Sequence, residues 1–395
     1  MDFATDFAFF VQGSDAITVV AMLSSSRVGL TARVGLAAAA TTAAVYAARR
    51  FLRRASTLSI DPALFSADAI DAETREASEK AMAAAATMTP SYEIGPVAQR
   101  ERRRAQYMAE HVAHFGNAEK PAQREDRKVS HESSSSPVGV SIFRPSSSSN
   151  ALRGVYLHIH GGGWYLGESA WQNDIRMCGL ADRLSIAIVS VDYSLAPEHV
   201  WPRPYNDCIA AASWLVSNAK AEFGTDTLII GGESAGGQLC ALTCLGLRKA
   251  LKLPSTAPFP YKAANLVYGC YDMGGTPSLH NYHKPLVFNW EEFEWCSKLV
   301  IPDHFDRRDP SVSPLYCKSE ELATMPPALF TCGTDDALID DTLFLASRWH
   351  AAGAHAELSL MPGGAHGVGH FGPHARTELG KKCHQRIEDW MQQWL

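Results

Sequence analysis

Gly232-Glu233-Ser234-Ala235-Gly236 follows an apolar run, Thr227 to Ile230. A G-x-S-x-G pattern behind such a run marks a strand-to-helix elbow, where small residues flank a serine because the chain turns too sharply for larger neighbours. The strain points the serine hydroxyl out of the sheet, which makes Ser234 a candidate nucleophile. Taken alone, the pentapeptide reads equally as a Gly-Ser turn. Its surroundings favour the elbow.

About seventy residues upstream, His160-Gly161-Gly162-Gly163-Trp164 follows the strand-like Val155-Tyr156-Leu157-His158-Ile159. Consecutive glycines leave backbone amides unobstructed. An acyl carbon attacked by serine places negative charge on its oxygen, and one preorganised N–H donor there is worth ~3 kcal/mol. In the elbow arrangement one donor is the residue after the nucleophile, here Ala235, and the others come from the glycine loop, here Gly162 and Gly163. His160 is expected to brace that loop.

A serine is a weak nucleophile at neutral pH and needs a histidine base oriented by an acid. Chain order narrows the fifteen histidines, because acid and base follow the serine on loops after late strands. Pro327 to Cys332 reads as a strand ending in Gly333-Thr334-Asp335-Asp336-Ala337-Leu338-Ile339-Asp340-Asp341. Ala356 to Met361 reads as another, ending in Pro362-Gly363-Gly364-Ala365-His366-Gly367. His366, flanked by small residues, is the expected base. Asp335, Asp336, Asp340 and Asp341 all stay open as the acid on chemistry alone.

Four separated segments resemble the hormone-sensitive-lipase-like esterases, the alpha/beta hydrolase fold-3 family that includes arylacetamide deacetylases. They are His160 to Trp164; Val191-Asp192-Tyr193-Ser194-Leu195-Ala196-Pro197-Glu198-His199 with Pro202 and Asp207; Gly232 to Gly237; and the Asp336 and His366 loops. The resemblance covers roughly residues 136 to 395. It implies that the catalytic aspartate is Asp336, with Asp340 as a supporting carboxylate, and that Asp192 to Glu198 is a structural turn rather than a second acid–base pair. Trp164 and Tyr193 take motif positions that suggest substrate contact. Three residues depart from the family pattern: Glu233 for Asp, Ala337 for Pro and Val368 for Phe. None removes a triad member.

The resemblance implies a serine carboxylesterase acting on small to medium acyl esters, with no cofactor. Amide hydrolysis by the same triad is the first alternative. A non-catalytic receptor is the second, since plant gibberellin receptors are similar to the same family but lack the histidine that this chain keeps.

Apolar runs at Val138 to Phe143, Val155 to Ile159, Ile186 to Asp192, Leu228 to Gly232, Leu266 to Tyr271, Ala328 to Cys332 and Ala356 to Met361 alternate with helical stretches, including Trp201 to Phe223 and Gly236 to Lys252. That alternation predicts an α/β fold with a mostly parallel, doubly wound sheet. The organisation expected is an N-terminal extension over 1–58, a helical cap or linker over 59–135, and a catalytic domain over 136–395. A lid rich in aromatic residues interrupts the last at about 272–324.

Composition agrees. The chain has 395 residues, 46% hydrophobic, enough for a large core. A net charge of −6 gives no basic surface for nucleic acid; the partner that the resemblance implies is a small-molecule ester. Nine cysteines without short spacing read as reduced thiols, and no CxxC suggests structural zinc. Glycines and Pro373 break any helix that would align His366, His370 and His374 as metal ligands.

Near the N-terminus, Val34 to Ala48 is fifteen uncharged residues bounded by Arg33 and followed by Arg49, Arg50, Arg53 and Arg54. A bilayer span needs ~20. Two readings stay open: a membrane anchor through residues 34–54, which would leave the enzyme facing the cytoplasm, and a soluble amphipathic helix. Serine tracts at 133–136 and 146–149 read as surface loops.

Overall fold

Eight strands form one sheet in the order β1-β2-β4-β3-β5-β6-β7-β8: β1 Arg124–Val129, β2 Val138–Phe143, β3 Val155–Ile159, β4 Ala187–Asp192, β5 Leu228–Glu233, β6 Ala263–Val267, β7 Ala328–Gly333 and β8 Ala356–Met361. The computed structural model describes residues 58–395 apart from 117–119, 133–135, 148–150 and 168–172. The expectations for the N-terminal extension and its anchor, and parts of both serine tracts, lie outside the described residues. No helix among the described residues is long and apolar enough to cross a membrane.

β1 and β2 pair antiparallel, as do β2 and β4, while every pairing from β4 through β8 is parallel. The sheet is thus mostly parallel, and its central strands are apolar on both faces. Along β3, Val155, Leu157 and Ile159 enter one core and Tyr156 the other; along β4, Ala187, Val189 and Val191 oppose Ile188. Strand periodicity of two accounts for that division.

Among the described residues, eight helices of eleven residues or more accompany the sheet: α1 Ala72–Ala85, α2 Pro96–Phe115, α3 Asp174–Leu184, α4 Arg203–Phe223, α5 Ala235–Ala250, α6 Trp290–Val300, α7 Ile339–Ala351 and α8 Glu378–Gln392. Their ends follow local chemistry. Asp71 caps α1 by accepting from the Thr74 amide at 2.7 Å. α2 and α4 have proline in their first turn, and α4 stops at Gly224, whose φ of 74° is left-handed.

Two strand expectations need correction. β1 falls inside 59–135, so the sheet begins at Arg124 rather than after residue 136. Its sequence, Arg-Glu-Asp-Arg-Lys-Val, has no apolar alternation, because it is an edge strand whose middle residues face solvent. β6 was expected at Leu266 to Tyr271 but is Ala263–Val267. The run continues past the strand because Tyr268, at φ 34°, breaks the extended backbone yet stays buried, its amide still donating to the Thr331 carbonyl at 2.6 Å. All nine cysteines are buried free thiols.

Candidate active site

The elbow lies between β5 and α5. Ser234 has φ 56° and ψ −122° and donates its amide to the Val267 carbonyl at 3.0 Å. A non-glycine residue held there stores about 1–3 kcal/mol of strain. Close approach explains the small neighbours: a Cβ on Gly236 would stand 2.0 Å from the Ile159 carbonyl oxygen, against the end of β3.

Ser234 Oγ and His366 Nε2 are 2.8 Å apart, and His366 Nδ1 lies 3.0 Å from both carboxylate oxygens of Asp336. All three side chains are buried. Asp336 follows β7, and its Oδ1 also accepts from the Leu338 amide at 2.9 Å. His366 follows β8, so parallel pairing of the last two strands sets acid and base side by side. The structure therefore brings together the three residues expected as a triad.

Gly162 and Gly163 line a narrow cavity of about 80 Å³ that holds Ser234 and His366. Among the described residues no hydrogen bond uses either of their amides, whereas the Gly161 amide is directed at Glu233 Oε1, 3.4 Å away. Ala235 opens α5, where a helix has no internal partner for its first amides. Gly162 adopts φ 125°, and a Cβ there would stand 2.2 Å from the Leu166 carbonyl oxygen.

Trp164 and Tyr193 do not line this cavity, contrary to expectation. Each spends its polar handle behind the glycine loop: Trp164 Nε1 donates to Gln238 Oε1 at 2.7 Å, and Tyr193 Oη donates to the His160 carbonyl at 2.9 Å. His160 stacks on Tyr193 and bonds the Gly161 carbonyl at 2.7 Å. Both aromatics brace the loop. Of the aromatics in the 272–324 segment, Phe288 reaches the cavity, its ring 5.0 Å from that of His366.

Asp340 and Asp341, on the first turn of α7, fasten the start of that segment. Asp340 accepts from the Ser278 amide at 2.8 Å, while Asp341 accepts from the amides of Tyr271 and Asp272 and from Thr276 Oγ1. Glu198 pairs with Arg100, as two bonds of 2.9 and 2.6 Å.

Glu233 is the buried neighbour of the nucleophile. It bonds His158 Nε2 at 2.9 Å and Arg176 Nη2 at 2.9 Å. Burial alone would raise its pKa, but Arg176 and His158 outweigh that and hold the carboxyl well below the usual glutamate range.

The sequence reading missed several residues at the site. Arg103 and Gln99 on α2, and Glu292 on α6, line the cavity. Tyr165 Oη donates to Glu292 Oε1 at 3.1 Å, yet burial keeps the Glu292 pKa above its ordinary value. They lie on helices without a motif, and only the fold shows which face meets the serine.

A hydroxyl, an imidazole and a carboxylate in one hydrogen-bonded row, at the carboxyl ends of parallel strands beside open amides, define a serine hydrolase. The chain belongs to the alpha/beta hydrolase fold family, Abhydrolase_3, whose model matches residues 156–370. It is 36% identical to the arylacetamide deacetylase of Mus musculus over 335 residues, covering 70% of this chain and 82% of that protein. It is 31% identical to the carboxylic ester hydrolase LipN of Mycobacterium tuberculosis over 230 residues, covering 57% of this chain and 59% of LipN's length. The crystal structure of a thermostable esterase from Pseudomonas putida shares the fold, with a TM-score of 0.70 at 21% identity over 82% of this chain and 98% of that one.

Proposed function

We propose that the protein is a serine carboxylesterase acting on short- to medium-chain acyl esters through an acyl-enzyme. Ser234 is the nucleophile, His366 the base and Asp336 the group that orients His366, with the amides of Gly162, Gly163 and Ala235 around the oxyanion. As Ser234 Oγ bonds to the ester carbon, its proton passes to His366 Nε2. Asp336 holds the Nδ1 proton and stabilises the imidazolium. Collapse of the tetrahedral intermediate breaks the carbon–oxygen bond, and His366 returns its proton to the departing alkoxide. Water then attacks the acyl-enzyme by the same path, releasing the acid and restoring Ser234.

The unbroken row from Ser234 through His366 to Asp336 carries this reading. The small cavity supports short acyl groups over long ones. Turnover of p-nitrophenyl butyrate should vanish in Ser234→Ala while the thermal transition stays in place; undiminished hydrolysis would remove Ser234 from the role. An organophosphonate should label the wild type and not the variant.

Likeness to an arylacetamide deacetylase favours a second reading, hydrolysis of aryl amides by the same groups. A matched ester and amide of one acid, assayed together, separates the two. Amides are the slower substrates of such a site because the leaving nitrogen must be protonated.

A further inference from the structure

A second cavity, of about 360 Å³, adjoins the one that holds Ser234. The two share a wall: Arg103 and Phe371 line both. Phe371 stands edge-on to the His366 ring at 5.8 Å, so the partition is one aromatic ring beside the candidate base. Glu233 also lines the second cavity, which therefore reaches the residue next to the nucleophile.

Its walls offer hydrogen-bond donors. Arg103 forms no ion pair within 4.0 Å among the described residues; its guanidinium bonds only Gln106 Oε1, at 3.2 Å. Asn173 is 3% exposed, and its Nδ2 has no partner among the described residues although its Oδ1 accepts from Arg176 at 2.8 Å. A buried amide donor left open costs about 1–3 kcal/mol unless something occupies it. Three arginines (103, 176, 376) face two glutamates (110, 233) in this cavity. Arg176 already neutralises Glu233, and Glu110 lies 3.7 Å from Arg376, so among the described residues Arg103 is the arginine of this cavity without an ion pair within 4.0 Å, its charge felt by Glu292 across the shared wall.

We propose that this cavity binds a carboxylate carried by the substrate, between Arg103 and the Asn173 amide, with the ester carbonyl at Ser234 on the other side of Phe371. The planar guanidinium suits a carboxylate in two-point contact, and Asn173 supplies a third donor. The proposal rests on the ester-hydrolase reading above and narrows its substrate class to esters with a free acid group.

The test compares acid and neutral partners in two pairs. Para-acetoxybenzoate and its methyl ester place the charge on the alcohol half; monoethyl adipate and diethyl adipate place it on the acyl half. The ratio of kcat/KM, acid over neutral, is measured in the wild type, Arg103→Gln, Arg103→Lys and Asn173→Leu. Losing a hydrogen bond to a charged group predicts a fall in that ratio of about tenfold or more in Arg103→Gln and Asn173→Leu, mainly through KM, for the pair whose charge reaches the cavity. Arg103→Lys keeps part of the preference. An unchanged ratio in both pairs, or a wild type that rejects both acids, overturns the carboxylate site. Neutral-ester turnover in the wild type tests the esterase reading separately, and each variant's thermal transition shows that it is folded.

Discussion

Arg100, on helix α2, donates its Nε hydrogen to the carbonyl oxygen of Tyr165 at 2.7 Å. Tyr165 lies two residues beyond Gly163, so this side chain ties α2 to the end of the glycine loop. The same guanidinium bonds the Ala196 carbonyl and forks onto Glu198. The loop's amides are thus positioned partly from outside the sheet. Arg100→Ala should lower kcat by about tenfold, since small misplacements of catalytic groups are costly, with a smaller change in KM. Steady-state kinetics beside a melting curve would show it, and unaltered kcat in a folded variant would detach α2 from the loop's function.

Asp336→Asn should leave the elbow intact and lower kcat by about 10³- to 10⁴-fold, as expected when the acid no longer fixes the histidine tautomer. The pre-steady-state burst with p-nitrophenyl butyrate reports the acylation step. Asp340→Asn, by contrast, alters a bond to the Ser278 amide and touches no triad atom, so its kcat should stay near that of the wild type.

Gly162→Ala places a methyl group 2.2 Å from the Leu166 carbonyl oxygen and demands φ 125° of an L residue. The loop must shift, and misdirecting one oxyanion donor costs about 10²- to 10³-fold in kcat. Organophosphonate labelling should slow in parallel, because that reaction builds charge on the same oxygen. Labelling at the wild-type rate would place the oxyanion elsewhere.

Glu233 links stability to pH. Its folded pKa is lowered, so the unfolded chain takes up a proton first as pH falls. The stabilisation is fully present above a glutamate's ordinary 4.5 and is lost as pH drops from there through the lower folded value. Glu233→Gln should flatten the decline of melting temperature below about pH 4.5 while lowering stability at neutral pH by about 3 kcal/mol, the low end for leaving a partly buried Arg176 unpaired. A decline as steep as in the wild type would assign acid sensitivity to other groups.

Every residue placed at the site lies within the compact unit Leu58–Leu395. A chain starting at Ser59 should therefore hydrolyse the test ester with the kcat of the full chain. Fractionation of both forms over membranes then assigns any membrane attachment to the residues removed.

Local chemistry made much of this legible in the sequence. The elbow, the glycine run and the loops after β7 and β8 announce themselves because each needs small residues at fixed places, and β2, β3 and β8 were bounded correctly by their apolar runs. β1 was not, since a charged edge strand owes its existence to the neighbour it pairs with. Trp164 and Tyr193 were assigned to substrate from motif position alone, which does not reveal that Gln238 and the His160 carbonyl already occupy their polar atoms. Arg100, Arg103 and Glu292 come from helices α2 and α6, whose orientation is a tertiary fact.

The two aspartates that open α7 have a mechanical consequence. With Asp341 gripping Tyr271, Asp272 and Thr276, and Asp340 gripping Ser278, the start of the 272–324 segment is bolted to the helix that follows Asp336. A hinge there would break four bonds at once.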